Sequence, residues 1–143
     1  VAAALAAARR VVMTTHVNAD GDGIGSEVAL VHLLRALGKD VAIANPTAVP
    51  DRYAFLVGPV AAHERTARAQ QALRDADCFL VLDISDLGRL GNLAGTIRAR
   101  GIVTACIDHH VSADISWENF NYYRERLAGM VTETGKQKLE ARG

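Results

Sequence analysis

The chain has 143 residues, of which 16 are Lys or Arg and 16 are Asp or Glu, so its formal net charge at neutral pH is zero. This length suits one globular domain, whose folding removes roughly 70% of the unfolded surface from water. The balanced charge argues against electrostatic capture of long duplex nucleic acid or of an anionic membrane, but it leaves small phosphorylated ligands open.

The first half of the chain predicts a β-α-β alternation. Residues 11–15 form a β-branched run typical of a strand, and Gly38 is placed to end the helix that follows. The apolar positions of that helix, which recur at helical spacing, are Ile24, Val28, Val31 and Leu34. A second short strand is predicted at residues 41–44, followed by a proline-containing loop over residues 46–59.

The second half continues the same alternation. Residues 66–76 are polar and alanine-rich, which predicts a helix, and residues 79–82 are apolar at every position, as in a strand buried on both faces. A further helix over residues 90–97 ends at Gly101 and precedes a last strand at residues 102–107. Strands alternating with helices predict an α/β fold with a doubly wound, mainly parallel sheet flanked by helices.

The cysteines and the apolar runs indicate a cytoplasmic protein. Cys78 and Cys106 both lie in apolar runs, where small buried thiols are expected, so a reducing compartment fits best. No apolar stretch approaches the roughly 20 residues of a membrane span. Because the chain begins with Val1 and ends in a polar tail, residues 136–143, we expect it to be a piece of a longer protein.

Acidic and imidazole side chains follow three of the predicted strands. In strand order they are His16, Asp20 and Asp22, then Asp83, then Asp108, His109 and His110. Because ligands bind beyond the carboxyl ends of parallel strands, we expect these side chains to meet at one edge of the sheet. Clustered carboxylates repel one another and lose hydration, a cost that a divalent cation removes. Mixed carboxylate and imidazole ligands favour manganese, with magnesium or iron as alternatives.

Each of these residues also has a purely structural explanation. Asp22 can cap the following helix, Asp83 can open an Asx-turn, and His109 can be a satisfied interior histidine. The three glycines of the loop over residues 16–26 also resemble a dinucleotide-binding loop. However, Asp22 would repel a pyrophosphate, and the second strand ends at Asn45 instead of an acid, so a metal site is the preferred interpretation.

Three ordered motifs resemble those of the DHH phosphoesterase family. They are HVNADGDGIGS at residues 16–26, LDISDLGRLG at residues 82–91 and DHH at residues 108–110. The similarity extends from about residue 10 to residue 112. It looks most like the branch of nanoRNases, adenosine 3′,5′-bisphosphate phosphatases and cyclic dinucleotide phosphodiesterases.

The resemblance implies a site for two manganese ions, with magnesium or another divalent metal as an alternative. By this likeness, His16 and Asp20 bind one ion, Asp22 and His109 bind the other, and Asp83 bridges them. Asp83, His109 and His110 are then the candidate catalytic residues. In such sites the two cations activate a water that attacks phosphorus, so no protein nucleophile is required.

The same likeness places His110 at the substrate phosphate or as a brace for the ligands, and it makes Asp108 the residue that orients the histidines by accepting a ring N–H. Ser26 is a candidate phosphate-binding residue because it lies near the start of the predicted helix. The expected substrates are short oligonucleotides, adenosine bisphosphate, or a cyclic or linear dinucleotide. Two alternatives from other classes are a non-catalytic nucleotide-binding or regulatory module and a structural interaction domain, and a homodimer is left open.

Two departures from the family pattern concern the C-terminal part. Glu133 lies in a string similar to one in which relatives carry a metal-binding aspartate, but it comes much too soon after the DHH triplet. We expect an open metal position there instead of a Glu133 ligand. We also expect residues 1–112 to form the domain core, residues 113–143 to form a shortened or divergent segment of the same domain, and the C-terminal clamp domain of relatives to be absent.

Overall fold

A computed structural model describes residues 1–58, 66–84 and 86–110, together with the backbone of residues 61–63. Glu133, the segment 113–143 and Pro59 of the predicted loop lie outside the described residues. The strands are β1 (Arg10–Thr14), β2 (Asp40–Asn45), β3 (Ala61–His63), β4 (Cys78–Leu82) and β5 (Val103–Ile107). The α-helices are α1 (Ala2–Ala7), α2 (Gly21–Ala36), α3 (Ala54–Val57), α4 (Ala67–Asp75) and α5 (Leu93–Arg100), and 3-10 helices cover Asp51–Tyr53 and Leu87–Leu90.

The strands form one parallel sheet in the order β3-β2-β1-β4-β5. β1 is central, and its Val11 is in register with Val41 of β2 on one side and with Cys78 of β4 on the other. From β1 the chain extends the sheet first through β2 and β3, then on the opposite side through β4 and β5. Loops therefore diverge between the carboxyl ends of β1 and β4, and such a switch point opens a ligand cleft.

Alternate side chains of the central strands pack against helices on opposite faces of the sheet. The core on the α4 and α5 face contains Val12, Phe79, Val81, Leu73 and Ile97, and the core on the α2 face contains Val11, Met13, Leu80, Val31 and Leu34. All five residues of β4 are buried, as predicted for a strand covered on both faces. These two layers confirm the doubly wound α/β fold.

The elements differ from the predicted ones in three places, the first of which is helix α1 before the first strand. The predicted loop over residues 46–59 contains a 3-10 helix and α3, and β3 follows it at the sheet edge. The predicted helix over residues 90–97 is divided, because Gly91 has a left-handed backbone (φ 54°) that ends the 3-10 helix before α5 begins. Within the described ranges, none of the helices has the length and apolarity needed to cross a bilayer.

Candidate metal centre

His16 lies just beyond β1 and is almost entirely buried, with 2% of its surface exposed. Its Nδ1 lies 2.9 Å from the carbonyl oxygen of Val17. Because a carbonyl only accepts, Nδ1 carries the proton, and in the neutral ring the lone pair is on Nε2. Nε2 faces two carboxylates, with Asp20 Oδ2 at 3.7 Å and Asp83 Oδ2 at 3.8 Å. This tautomer is the one that can ligate a cation at the carboxylates.

Asp20 caps α2 and also faces His16. Its Oδ1 accepts the backbone N–H groups of Asp22 (3.1 Å) and Gly23 (3.2 Å), so Asp20, not Asp22, is the capping residue. Partial burial raises the pKa of Asp20, but the hydrogen bond from Gly23 and the proximity of His16 outweigh it and hold that pKa below its ordinary value. The cap therefore keeps an ionised carboxylate with its second oxygen aimed at His16.

Asp83 follows β4 directly and connects the two halves of the site. Only 6% of its surface is exposed. Its Oδ1 lies 3.1 Å from His109 Nε2 and 3.8 Å from His110 Nδ1, whereas its Oδ2 faces His16. Oδ1 is buried and has no hydrogen bond from any described residue. A buried carboxylate oxygen beside imidazole nitrogens, with no hydrogen bond of its own, fits a cation shared among these ligands.

Asp108, His109 and His110 follow β5 at the same edge. Asp108 makes a short hydrogen bond to Nδ1 of His110, and this bond raises the pKa of His110, while Arg89 nearby opposes the rise. Asp108 thus pairs with His110 and is not shown to contact His109. The ring of His109 is 69% exposed and lies 4.6 Å from that of His110, centroid to centroid. The pair forms the open side of the site.

A cleft of about 500 Å³ lies between these elements. Its lining residues are Gly21, Asp22, Gly25, Ser26, Asp83, Ile107, Asp108 and His109. Three of them are carboxylates and none is Lys or Arg, so an anionic substrate would be repelled unless cations were bound. Asp22 and Ser26 thus lie on the cleft wall.

The candidate ligands form two groups that share one member. Within each group the ligand atoms lie within 4.8 Å of one another: His16, Asp20 and Asp83 form the first, and Asp83, His109 and His110 form the second. Asp22, expected as a ligand of the second ion, belongs to neither group and lies on the wall of the cleft. Both groups, found among the described residues, fit divalent cations because each combines imidazole nitrogen with carboxylate oxygen.

Sequence reasoning missed a buried polar network behind His16. Glu27 of α2 is 0% exposed, and its Oε2 accepts a hydrogen bond of 3.0 Å from Asn45 Nδ2. Asn45 Oδ1 in turn accepts the backbone N–H of Thr15 at 3.1 Å. Burial raises the pKa of Glu27 to about 8. A signal was present, because Glu27 is three residues after Ile24 and four before Val31 in the apolar stripe of the helix.

Comparison with known proteins identifies the family of this chain. A parallel α/β sheet that gathers aspartates and histidines at its carboxyl edge is an architecture suited to binding divalent cations. Residues 10–138 match the DHH family, N-terminal domain. The chain therefore belongs to the DHH family, a family of metal-dependent phosphoesterases.

A solved structure of an exopolyphosphatase-related protein from Bacteroides fragilis is similar to this chain. The TM-score is 0.72 at 28% sequence identity, and the match covers 79% of this chain and 34% of that chain. This chain thus spans about a third of that protein's length. The similarity supports the α/β fold and the family membership.

Proposed function

We propose that this chain is the catalytic domain of a two-cation phosphoesterase that hydrolyses short oligonucleotides or small nucleotide phosphates. The main support for this proposal is the position of Asp83. One of its oxygens faces His16, and the other faces His109 and His110. A carboxylate so placed is suited to bridge two cations.

His16, Asp20 and one oxygen of Asp83 would hold the first cation. The other oxygen of Asp83 and His109 would hold the second, with Asp22 reaching it from the cleft wall. Manganese suits the mixed imidazole and carboxylate donors, and magnesium is the alternative. When bound, the cations supply an acidified water and offset charge on the phosphate oxygens.

The protein's own residues would bind and orient the phosphate. Gly21 is the first residue of the 16-residue helix α2 and lines the cleft, so the helix dipole favours an anion at that end of the cleft. Ser26, one turn further along α2, lines the same cleft and can offer its hydroxyl to a phosphate oxygen. The raised pKa of His110, held by Asp108, favours its protonated form beside the cleft. Arg89 is close enough to His110 to affect that pKa, and it adds a second positive charge.

Several finer assignments belong to the same proposal. The motifs at residues 16–26 and 82–91 support a nucleotide substrate, as in the nanoRNase and bisphosphate phosphatase branch, while the name of the similar Bacteroides protein supports testing polyphosphate as well. The family match, which extends to residue 138, supports the assignment of residues 113–143 to the same domain as residues 1–112. Cys78 and Cys106 are both buried and are not joined in a disulfide, which supports a cytoplasmic location. A homodimer is left open.

The decisive experiment compares the wild-type chain with Asp83→Asn, using calorimetric titration with Mn²⁺. We expect two equivalents in the wild type and neither at full affinity in the variant, because the neutral amide cannot bridge two cations. Asp86→Asn is the matched control, since Asp86 is exposed in the same loop and only caps the 3-10 helix through Gly88 N–H at 2.8 Å. Unchanged Mn²⁺ stoichiometry in Asp83→Asn would falsify the proposal.

The same proteins are then incubated with a 5′-phosphorylated dinucleotide, adenosine 3′,5′-bisphosphate and inorganic polyphosphate. Release of nucleoside monophosphate or phosphate by the wild type, lost in Asp83→Asn, identifies the substrate class. We expect weak turnover, because substrate positioning can be worth about 7 to 11 kcal/mol and depends on contacts beyond the metals. Binding of both ions without cleavage of any substrate would favour the regulatory module.

A second pair of variants tests the ligand set. Asp22→Ala should lose Mn²⁺ affinity at one site, because Asp22 lines the cleft next to Asp83 and His109. Glu133→Ala should change Mn²⁺ affinity little, since we expect an open metal position in its place. Calorimetry on both variants decides the matter: equal losses of affinity would make Glu133 a genuine ligand.

A further inference from the structure

The polar network of Thr15, Glu27 and Asn45 lies behind the metal centre and has no part in binding substrate. We infer that Glu27 and Asn45 are positioning residues, which hold the end of β1 so that His16 presents Nε2 to the cation. This inference rests on the proposed function, and it adds two residues, neither of them a candidate ligand.

The hydrogen-bond ladder between β1 and β2 ends just before Thr15. β1 and β2 pair in register as far as Met13 and Ile43. Beyond this point the side chain of Asn45, not a backbone carbonyl, accepts the N–H of Thr15 at 3.1 Å. The amide side chain thus replaces a ladder hydrogen bond at the position where the chain must leave the sheet towards His16.

Glu27 fixes the orientation of the Asn45 side-chain amide. Asn45 donates from Nδ2 to Glu27 Oε2 at 3.0 Å, which leaves Oδ1 as the end that faces Thr15. Without an acceptor at Glu27, the amide could rotate and direct its N–H groups at the N–H of Thr15. Glu27 therefore determines whether Thr15 has an acceptor at all.

Backbone hydrogen bonds on both sides of His16 connect this network to the imidazole ring. His16 lies between two residues whose backbone N–H groups are both bonded, since Val17 donates to the carbonyl of Arg89 at 2.8 Å and Thr15 donates to Asn45. The Nδ1 hydrogen bond to the Val17 carbonyl depends on this backbone geometry. Release of Thr15 would free the His16 backbone, and with it the ring orientation that places Nε2 between Asp20 and Asp83.

The burial of Glu27 indicates that this residue does something other than stabilise the fold. Its Oε1 is buried and has no hydrogen-bond partner among the described residues. A group in that state costs stability, whereas an apolar side chain in the stripe between Ile24 and Val31 would pack without this cost. Retention of a carboxyl group at this position is consistent with a positioning role.

The test uses Glu27→Gln, which keeps an acceptor for Asn45, and Glu27→Met, which removes it. We expect Glu27→Gln to match the wild type, and Glu27→Met to raise the Kd of one Mn²⁺ equivalent by about 10-fold or more, the usual effect of losing a partner of a metal ligand. Val31→Ala is the control: it should lower the melting temperature but leave both Kd values unchanged.

Nitrogen NMR of the His16 ring in the metal-free protein gives a readout independent of metal. In Glu27→Met the ring should change from one tautomer to a mixture, while Glu27→Gln keeps the wild-type signals; Asn45→Ala serves as a second variant with the same expected loss. Wild-type Kd values and His16 signals in both Glu27→Met and Asn45→Ala would overturn the inference. A wild type that binds no Mn²⁺ would refute the proposed function, and the His16 signals would still decide the positioning role.

Discussion

Asp83 combines backbone strain with a buried oxygen, Oδ1, that has no hydrogen bond from the described residues. Its φ is 54°, in the left-handed region that Asp tolerates better than most residues but glycine adopts freely. We therefore expect Asp83→Gly to have an unfolding free energy about 1 kcal/mol higher than the wild type in EDTA, and so a higher melting temperature. The same variant should lose Mn²⁺ binding. Thermal denaturation with and without EDTA measures both effects. A lower melting temperature in EDTA would show that the strain is not a cost.

Glu27 should make stability depend on pH. Burial raises its pKa from 4.5 to about 8 in the folded protein, so between these values the folded state holds a proton that the unfolded state has lost. The unfolding free energy should therefore fall as pH rises from about 4.5 to about 8. Glu27→Gln should lack this component, because an amide does not titrate. Urea denaturation in EDTA across this range compares the two proteins, and parallel pH profiles would contradict the expected pKa.

At the residue scale, the sequence predicted where the acidic and imidazole side chains lie better than it predicted the role of each one. Aspartates and histidines placed directly after strands were correctly expected at one sheet edge, because parallel strands bring their carboxyl ends together. The spacing alone did not show that Asp20, and not Asp22, caps helix α2. Glu27 was missed because the apolar stripe of α2 was read through its hydrophobic members only.

Two of the three glycines at the start of α2 have opposite surroundings. A Cβ on Gly23 would lie 2.4 Å from Thr15 Oγ1, whereas a Cβ on Gly25 would meet nothing within 4 Å. Gly23→Ala should therefore push α2 from the end of β1 and weaken both stability and Mn²⁺ binding. Gly25→Ala should stabilise the helix by about 0.5 to 1 kcal/mol but narrow the cleft.

Melting temperatures and Michaelis constants distinguish the two glycine variants. Gly23→Ala should lower the melting temperature, and Gly25→Ala should raise it while increasing KM for the cleaved substrate. Equal melting temperatures would show that α2 tolerates a methyl group against Thr15 and that Gly23 is not needed for close approach.

At the scale of elements, segments with a clear apolar pattern were predicted, although not always with the right bounds, and a very short strand was missed. α2, β4 and α5 have apolar patterns that tertiary packing reinforces, and Gly101 ends α5 in a left-handed conformation, as expected. β3 has three residues, too few to establish a period against the loop signals around it. The division at Gly91 depends on backbone geometry that the apolar positions alone do not reveal.

For the whole molecule, metal binding should act as a clamp between β1, β4 and β5. A ligand that binds only the folded state at 100 times its Kd adds about 2.7 kcal/mol to the unfolding free energy. The melting temperature of the wild type should therefore rise with Mn²⁺ concentration, and that of Asp83→Asn should not. Scanning calorimetry across a Mn²⁺ series provides the test, and equal rises in both proteins would place the stabilising ion elsewhere.

The central position of β1 also has a consequence for synthesis of the chain. Val11 is in register with Cys78, so the edge of β1 that faces β4 finds its partner only after 67 more residues have been made. Until β4 leaves the ribosome, a row of unpaired backbone groups beside Val11, Val12 and Met13 is open to other strands. Nascent or truncated chains that end before β4 should aggregate, whereas chains that extend past β4 should not.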